Sequence, residues 1–372
     1  MPYMTLLVKG FKLGCGAPDF LDVDTASTLA ELHALIEDKR GVPPALQRLT
    51  AKNPPIELAG GEGCTLESLG LTRYSHSREC VLDLTFHHLT ICQCAFCTAH
   101  PAPPLAIRAA ARTGWLQRPT AGLAPGHAQA NLVLLPSALA PAFRAFCAAN
   151  PQACPLLEEG APGALDLPRT CPSGCDIRSD LPKYQVWRHG RAAETCSTLV
   201  DSAAWAAGAP WSAFALGCSF SFEEALQRGG VEVRHVTLGC NVPMFRTSRP
   251  AVAVGPFAGP LVVSMRPMSL QHAVRAASIT AAFPRVHGAP VQVGTPEALG
   301  IASAALAAPH FGDAVPCREG EVPVFWACGV TALLAAAGGS DLCITHAPGH
   351  MLVLDVTNAA LQNENEALAG AE

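Results

Sequence analysis

Over the first 85 residues the apolar positions alternate, fall into a helical stripe, and alternate again. "MTLLVKG" and "FLDVD" predict a β-hairpin, with Gly14 and Gly16 in the loop between them. "STLAELHALIEDKRG" places Leu29, Leu32, Leu35 and Ile36 on one helical face. Thr28 with Glu31 offers a capping box at its start, and Gly41 ends it. "PPALQRLT", "IELAGGEGCTLESLGL" and "ECVLDL" supply the remaining short strands and turns. From about residue 105 the pattern changes to strand, turn and helix units. "NLVLLP" predicts a buried strand leading into "SALAPAFRAFCAANP", a helix with Phe143, Phe146 and Cys147 on its apolar face. "WSAFALGCS" leads likewise into "FSFEEALQRGG", where Ser221 with Glu224 fits a second capping box and a double glycine stops the helix. "VEVRHVTLG" reads as a strand, and "GPLVVSMRPM", "EVPVFWACGV" and "CITHAPGHMLVLDV" as further strand-rich segments.

The expected organisation is a unit over residues 1–85, a Cys- and Pro-rich linker over 86–104, a two-lobed mixed α/β domain over 105–357, and a fraying tail over 358–372. No internal repeat is legible. At 372 residues, 49% hydrophobic and 15% charged, the chain suits compact globular domains. A formal charge of −5 removes the electrostatic case for binding nucleic acid. The charge-free stretches 250–265 and 322–340 are broken by Pro or Gly and read as buried core, not membrane spans. "MPYMTLLVKGFKLG" lacks the apolar core of a signal peptide and the Arg- and Ser-rich character of a transit peptide, so a cytoplasmic location is expected. The 16 cysteines are then mostly reduced. In the linker, Cys92, Cys94, Cys97 and His100 offer four soft ligands to zinc, or form a Cys-rich connector. Their spacing is tighter than the usual pair of knuckles. Cys171 and Cys175 make a weaker pair.

"IEDKRGVPPALQRL" and "CTLESLGL", in this order of elements, resemble ubiquitin, which implies a β-grasp domain at the N-terminus. After "VLDL" the chain runs into "TFHHLTICQC" with no diglycine end, so a fused docking module is expected in place of a conjugated one. The second domain resembles the D-glutamate cyclase family, whose bacterial members are often labelled hydro-lyases. The resemblance rests on "RPTAGLAPGHAQANLVLLP", "FCAANPQACPLL", "DIRSDLPKY", "GCSFSFEEAL", "NVPMFRT", "GPLVVSMRPM", "ITAAFPRVHGAPVQVGTP", "FGD", "EVPVFWACGV" and "ITHAPGHM". It implies conversion of D-glutamate to 5-oxo-D-proline with loss of water, and admits a mitochondrial matrix location as the alternative. Departures from the family pattern are Gln292 and Thr295, where "VHxGDP" is usual, His310 in place of an aspartate, and Ala332-Leu333 in place of Pro-Gln. They raise the alternative of a catalytically impaired member that binds glutamate or docks to a partner. A hydro-lyase acting on another small diacid is the remaining one.

Closing glutamate into a lactam asks for a proton shuttle, a cradle for anionic oxygen, and a cation to orient carboxylates. A positioned acid or base supplies about 10²–10⁴ in rate. His346 and His350 are four apart, but Pro348 and Gly349 break any helix between them, which favours acid/base work in a loop over metal ligation. The helix start at Ser219 and Ser221 offers an anion seat, and Glu223 is either a proton carrier or a solvated first-turn acid. Arg246 and Arg266 stand in apolar, Pro-bounded segments, where each needs a carboxylate from the substrate or from the protein. Asn241, His287 and Cys328 are candidate lining residues. No motif demands a cofactor, though a divalent ion such as Mn or Mg is compatible with the chemistry. The expected ligand is D-glutamate or a similar diacid, with a possible protein partner for the ubiquitin-like module.

Overall fold

A computed structural model describes residues 3–10, 19–24, 28–40, 47–51, 56–57, 80–86, 103–114, 116–207 and 210–362. The chain divides into two units, Met1–Ala102 and Pro103–Glu372. In the first, strands β1 (Tyr3–Gly10) and β2 (Asp19–Asp24) form the expected antiparallel hairpin, and helix α1 (Leu29–Arg40) follows. The capping box is present: Thr28 N donates to Glu31 Oε2 at 2.8 Å and Glu31 N to Thr28 Oγ1 at 3.2 Å. Leu29, Leu32 and Ile36 are buried, and Leu35 is half-buried. Strands β3 (Gln47–Ala51), β4 (Ile56–Glu57) and β5 (Cys80–Phe86) complete a sheet of order β2-β1-β5-β3-β4. In it β1 and β5 run parallel and the other pairs antiparallel. Cys92, Cys94, Cys97 and His100 lie outside the described residues.

The second unit opens with α2 (Pro104–Arg112), β6 (His127–Pro136), α3 (Ala140–Ala149) and β7 (Leu156–Glu159). Next come β8 (Tyr184–Arg188), β9 (Arg191–Cys196), α4 (Ala203–Ala207), β10 (Trp211–Gly217), α5 (Phe220–Arg228) and α6 (Arg234–Leu238). The chain continues through β11 (Met244–Pro250), β12 (Pro260–Ser269), α7 (Leu270–Ala281) and β13 (Gln292–Val293). It closes with β14 (Glu321–Ala327), α8 (Val330–Gly339), β15 (Leu342–His346) and β16 (Leu352–Thr357). A seven-stranded sheet has the order β7-β10-β6-β15-β8-β9, with β16 also on β6, and a four-stranded sheet has the order β11-β12-β14-β13. Every pairing in both is antiparallel. The class is mixed α/β, as the pattern predicts.

Strand β6 anchors this unit. Ala128, Ala130, Leu132 and Leu134 enter one apolar cluster, with Phe222 and Trp326. Val133 and Leu135 enter the other, with Phe143, Phe146 and Cys147 of α3. A strand buried on both faces reads as an unbroken apolar run, which is why "NLVLLP" was legible.

Two expectations fail. "VEVRHVTLG" forms α6, not a strand, because its polar side chains answer distant partners. Arg234 pairs with Glu321 at 2.5 Å, while Val231, Val233 and Val236 turn into the core. Nor does the fold stop at residue 357: Asn358 donates its N–H to the Gly126 carbonyl at 2.8 Å, and Leu361 is buried. Among the described residues no helix is long and apolar enough to cross a membrane.

Candidate active site

Two strand ends in the second unit turn into helices by the same route. After β10 come Cys218 and Ser219, then α5; after β14 come Cys328 and Gly329, then α8. Ser219 has φ −60° and ψ −18°, and Gly329 has φ −60° and ψ −17°. In each turn the cysteine carbonyl accepts from the N–H three residues on, Ser221 or Thr331, at 3.0 Å. The hydroxyl on that residue then accepts a neighbouring strand's N–H: Gln129 N to Ser221 Oγ at 3.0 Å, and Val262 N to Thr331 Oγ1 at 2.9 Å. Ser221 is thus inside the helix and ties it to β6. The predicted Ser221–Glu224 capping box does not form, because Glu224 accepts instead from Gly126 N at 2.7 Å and from Arg228 at 2.5 Å. The first helical N–H groups, of Phe220 and Val330, face the sulfurs of Cys218 and Cys328. At the helix start expected to seat an anion, the Ser221 hydroxyl is already engaged with Gln129 N. Burial pushes the Cys328 thiol up to about 11, against the pull of Val330 N–H and Arg266, so it is no nucleophile at neutral pH.

The side chains make the two turns differ. At the first, Ser219 Oγ accepts from Arg266 Nη2 at 3.0 Å, and Arg266 Nη1 donates to Ser264 Oγ at 3.2 Å. Both Nε, at 3.2 Å, and Nη2 of Arg266 donate to Glu223 Oε1. The guanidinium lies over both the Phe222 and Trp326 rings, 5.2 and 5.3 Å from their centroids. His235 Nε2 stands 3.0 Å from the same carboxylate oxygen, within ion-pair range. Burial raises the Glu223 carboxyl, but His235 and Arg266 outweigh it and hold the group at about 2. The partner of Arg266 is thus an internal carboxylate, and Glu223 is not a solvated acid.

At the second turn, a side chain on residue 329 would collide with that of Asn131. Asn131 fills the space, donating Nδ2 to the Gly217 carbonyl at 2.8 Å and meeting His346 Nε2 with Oδ1 at 3.0 Å. The other ring nitrogen of His346 lies 2.7 Å from the Ala347 carbonyl. Burial lowers His346 to about 4. His350, its Nδ1 3.0 Å from the Pro348 carbonyl, is also lowered, chiefly by burial. The Pro348–Gly349 turn between them packs on Asn241, whose amide nitrogen would sit 2.7 Å from a Cβ at 349 and whose Oδ1 is buried and unpaired. Thr120 fastens the same turn, donating its N–H to the Gly349 carbonyl at 2.8 Å. His287, at φ 86°, places Nδ1 2.8 Å from the Gln152 carbonyl; burial and then Arg266 lower it to about 4.

Arg246 is not brought to this network. Strand alternation buries Phe245 and Thr247 and turns Arg246 outward, where it covers Phe311 at 5.4 Å. The departures lie apart as well: Gln292 bonds the carbonyls of Val293 and Gly294, and exposed His310 accepts from Arg246 N at 3.3 Å. Thr295 bends at φ 24°. Among the described residues no three His, Cys, Asp or Glu side chains are grouped to hold a metal ion. A cavity of about 90 Å³ opens beside Glu223, with Leu123, Gln129, Phe220, Glu224 and Asn358 in its wall.

A family model described as D-glutamate cyclase matches residues 212–355. A protein of Bordetella petrii named "Putative hydro-lyase Bpet2233" is 52% identical over 259 residues, which is 68% of this chain and 94% of that protein. A Burkholderia multivorans protein, also named as a hydro-lyase, is 52% identical over 263 residues, 70% of this chain and 98% of its own. The chain belongs to the D-glutamate cyclase family. A solved ubiquitin of Caldiarchaeum subterraneum is 23% identical, covering 23% of this chain and 95% of that one at a TM-score of 0.18, which carries no argument. For the D-glutamate cyclase unit, sequence reasoning missed Asn131, Gln129 and His235. A lone Asn in the apolar run "ANLVLLP" was the available signal for the first; His235 was hidden by the strand-like reading of its segment.

Proposed function

We propose that the chain converts D-glutamate to 5-oxo-D-proline with loss of water. The observation that carries this reading is that the D-glutamate cyclase match, residues 212–355, contains the buried network of Ser219, Glu223, Ser264 and Arg266, and that Glu223 also walls a cavity. In the reaction the amine nitrogen attacks the γ-carboxyl carbon, a C–N bond forms and a C–O bond breaks. The departing oxygen leaves as water with the two protons that the ammonium sheds. Proton count is conserved, so the site must only carry protons from nitrogen to oxygen and steady the tetrahedral oxyanion between. Glu223, held ionised by His235 and Arg266, faces the cavity as a hydrogen-bond acceptor, and proton transfer falls to His350 or His346. Arg266 and the Ser219 hydroxyl supply the positive field and a donor for the oxyanion. Arg246, exposed on β11, has no part in this scheme. Because Gln292, Thr295 and His310 make no bond to the network, their departures favour a working site over an impaired one.

Incubating the purified chain with D- and L-glutamate, followed by chiral chromatography for 5-oxoproline, tests the reading. Product from the D-isomer alone is expected. Saturable glutamate binding without product would replace the lyase with a binding protein, and turnover of another diacid in a substrate panel would replace the substrate. We also infer that the Met1–Ala102 unit is a ubiquitin-like β-grasp module used for docking. The order β2-β1-β5-β3-β4, the parallel β1–β5 pair and the helix after the first hairpin support this. Loss of a co-purifying partner on deleting residues 1–102, with turnover retained, is the expected result.

A further inference from the structure

The contacts of Glu223 all fall on Oε1, where Arg266 and His235 meet it, and Oε2 takes no hydrogen bond. Two amide oxygens on the same cavity wall are buried and without a hydrogen-bond donor. Gln129, 3% exposed, donates Nε2 to the carbonyls of Thr120 at 2.9 Å and Leu123 at 3.2 Å, which fixes the amide's orientation and leaves Oε1 unpaired. Asn358, 8% exposed, turns Nδ2 toward Glu224 Oε2 at 3.4 Å, and its Oδ1 has no partner. Buried acceptors without donors are costly, and a wall that gathers two of them beside a carboxylate oxygen free of hydrogen bonds is built for a ligand that donates. The charges narrow the choice. Glu223 is matched by Arg266 and Glu224 by Arg228, so the wall carries no surplus negative charge. A divalent ion prefers carboxylates that are not already neutralised. An ammonium offers three N–H donors and a single charge.

We propose that this cavity seats a primary ammonium group, with Gln129 Oε1, Asn358 Oδ1 and Glu223 Oε2 each accepting one N–H. That the ammonium is the substrate's own rests on the cyclase reading. Leu123, Phe220 and Val236 supply apolar wall for the methylenes beside it. The exposed Gln227, Gly122 and Pro125 form the mouth, and buried Gln129 and Glu223 the floor.

Calorimetric titration of the full chain with D-glutamate and with glutarate, which lacks the amine, tests the seat. D-glutamate is expected to bind at least about ten-fold more tightly. Asn358→Leu is expected to lower D-glutamate affinity about ten-fold and leave glutarate within about two-fold, while Asn358→Asp, which keeps an acceptor, retains the preference. An unchanged ratio in Asn358→Leu overturns the seat while leaving turnover, and so the cyclase reading, intact. If D-glutamate neither binds nor reacts, the cyclase reading falls and the seat is judged by thermal protection with methylammonium. Protection by methylammonium but not tetramethylammonium, lost in Asn358→Leu, supports it. No protection, or stronger protection by magnesium, overturns it.

Discussion

The turns at Cys218–Ser219 and Cys328–Gly329 share backbone angles, a carbonyl bond three residues on, and a hydroxyl that holds a neighbouring strand. Their chemistry has diverged. The first carries Ser219 and the charged pair Glu223–Arg266; the second carries no side chain at 329 and yields its space to Asn131, which reaches His346. The lesson is that the same strand-to-helix geometry serves either an ionic network or a neutral amide–imidazole pair. The residue at one position decides which neighbours can approach.

The largest test strikes the ionic turn. Arg266→Met leaves Glu223 buried and without its main cation, and should cost about 3–5 kcal/mol in denaturant unfolding. The double variant with Glu223→Leu should recover much of that loss; if it is no more stable than the single, the pair is not the reason. Acid titration of stability separates the turns next. His346 and His287, held neutral to about 4 against an ordinary 6.5, contribute fully above pH 6.5, and that contribution is lost as pH falls toward 4. Each is worth a few kcal/mol. Glu223, held at about 2 against an ordinary 4.5, contributes above 4.5 and is lost as pH falls toward 2. Glu223→Gln should remove only the lower arm of that profile.

Exchanging the turns comes third. Gly329→Ser forces a Cβ into Asn131 and should cost about 1–3 kcal/mol, whereas Ser219→Gly removes one acceptor from Arg266 and should cost about 1–2 kcal/mol. Equal and negligible effects would mean that position 329 has room after all. Smallest and most alike should be Ser221→Ala and Thr331→Val, each freeing one strand N–H, at about 1 kcal/mol measured by thermal melts. A large gap between those two would break the parallel.

The turns explain what could be read in advance. Runs such as "NLVLLP" and "WSAFALG" announce buried strands, and the helices after them follow from capping and glycine stops. Arg266 was recognisable as a charge in an apolar setting that needs a partner, whereas Glu223 also read as a solvated first-turn acid. Which partner each would find was not legible, because Arg266 meets Glu223 across 43 residues and Asn131 meets His346 across 215. The similarity of the turns was equally hidden, since "GCSFS" and "ACGVT" share little beyond cysteine. Arg246 shows the opposite error: apolar neighbours in sequence do not bury a residue whose strand alternates it outward.

The ring at the end of β15 has a consequence of its own. A neutral imidazole has one N–H, yet His346 confronts two oxygens, those of Ala347 and Asn131, at opposite corners. Whichever tautomer it adopts, one oxygen faces a lone pair. Only a second proton would content both, and the dry surroundings, with His350 close by, withhold it. Exposing that ring to water would therefore ease its charging.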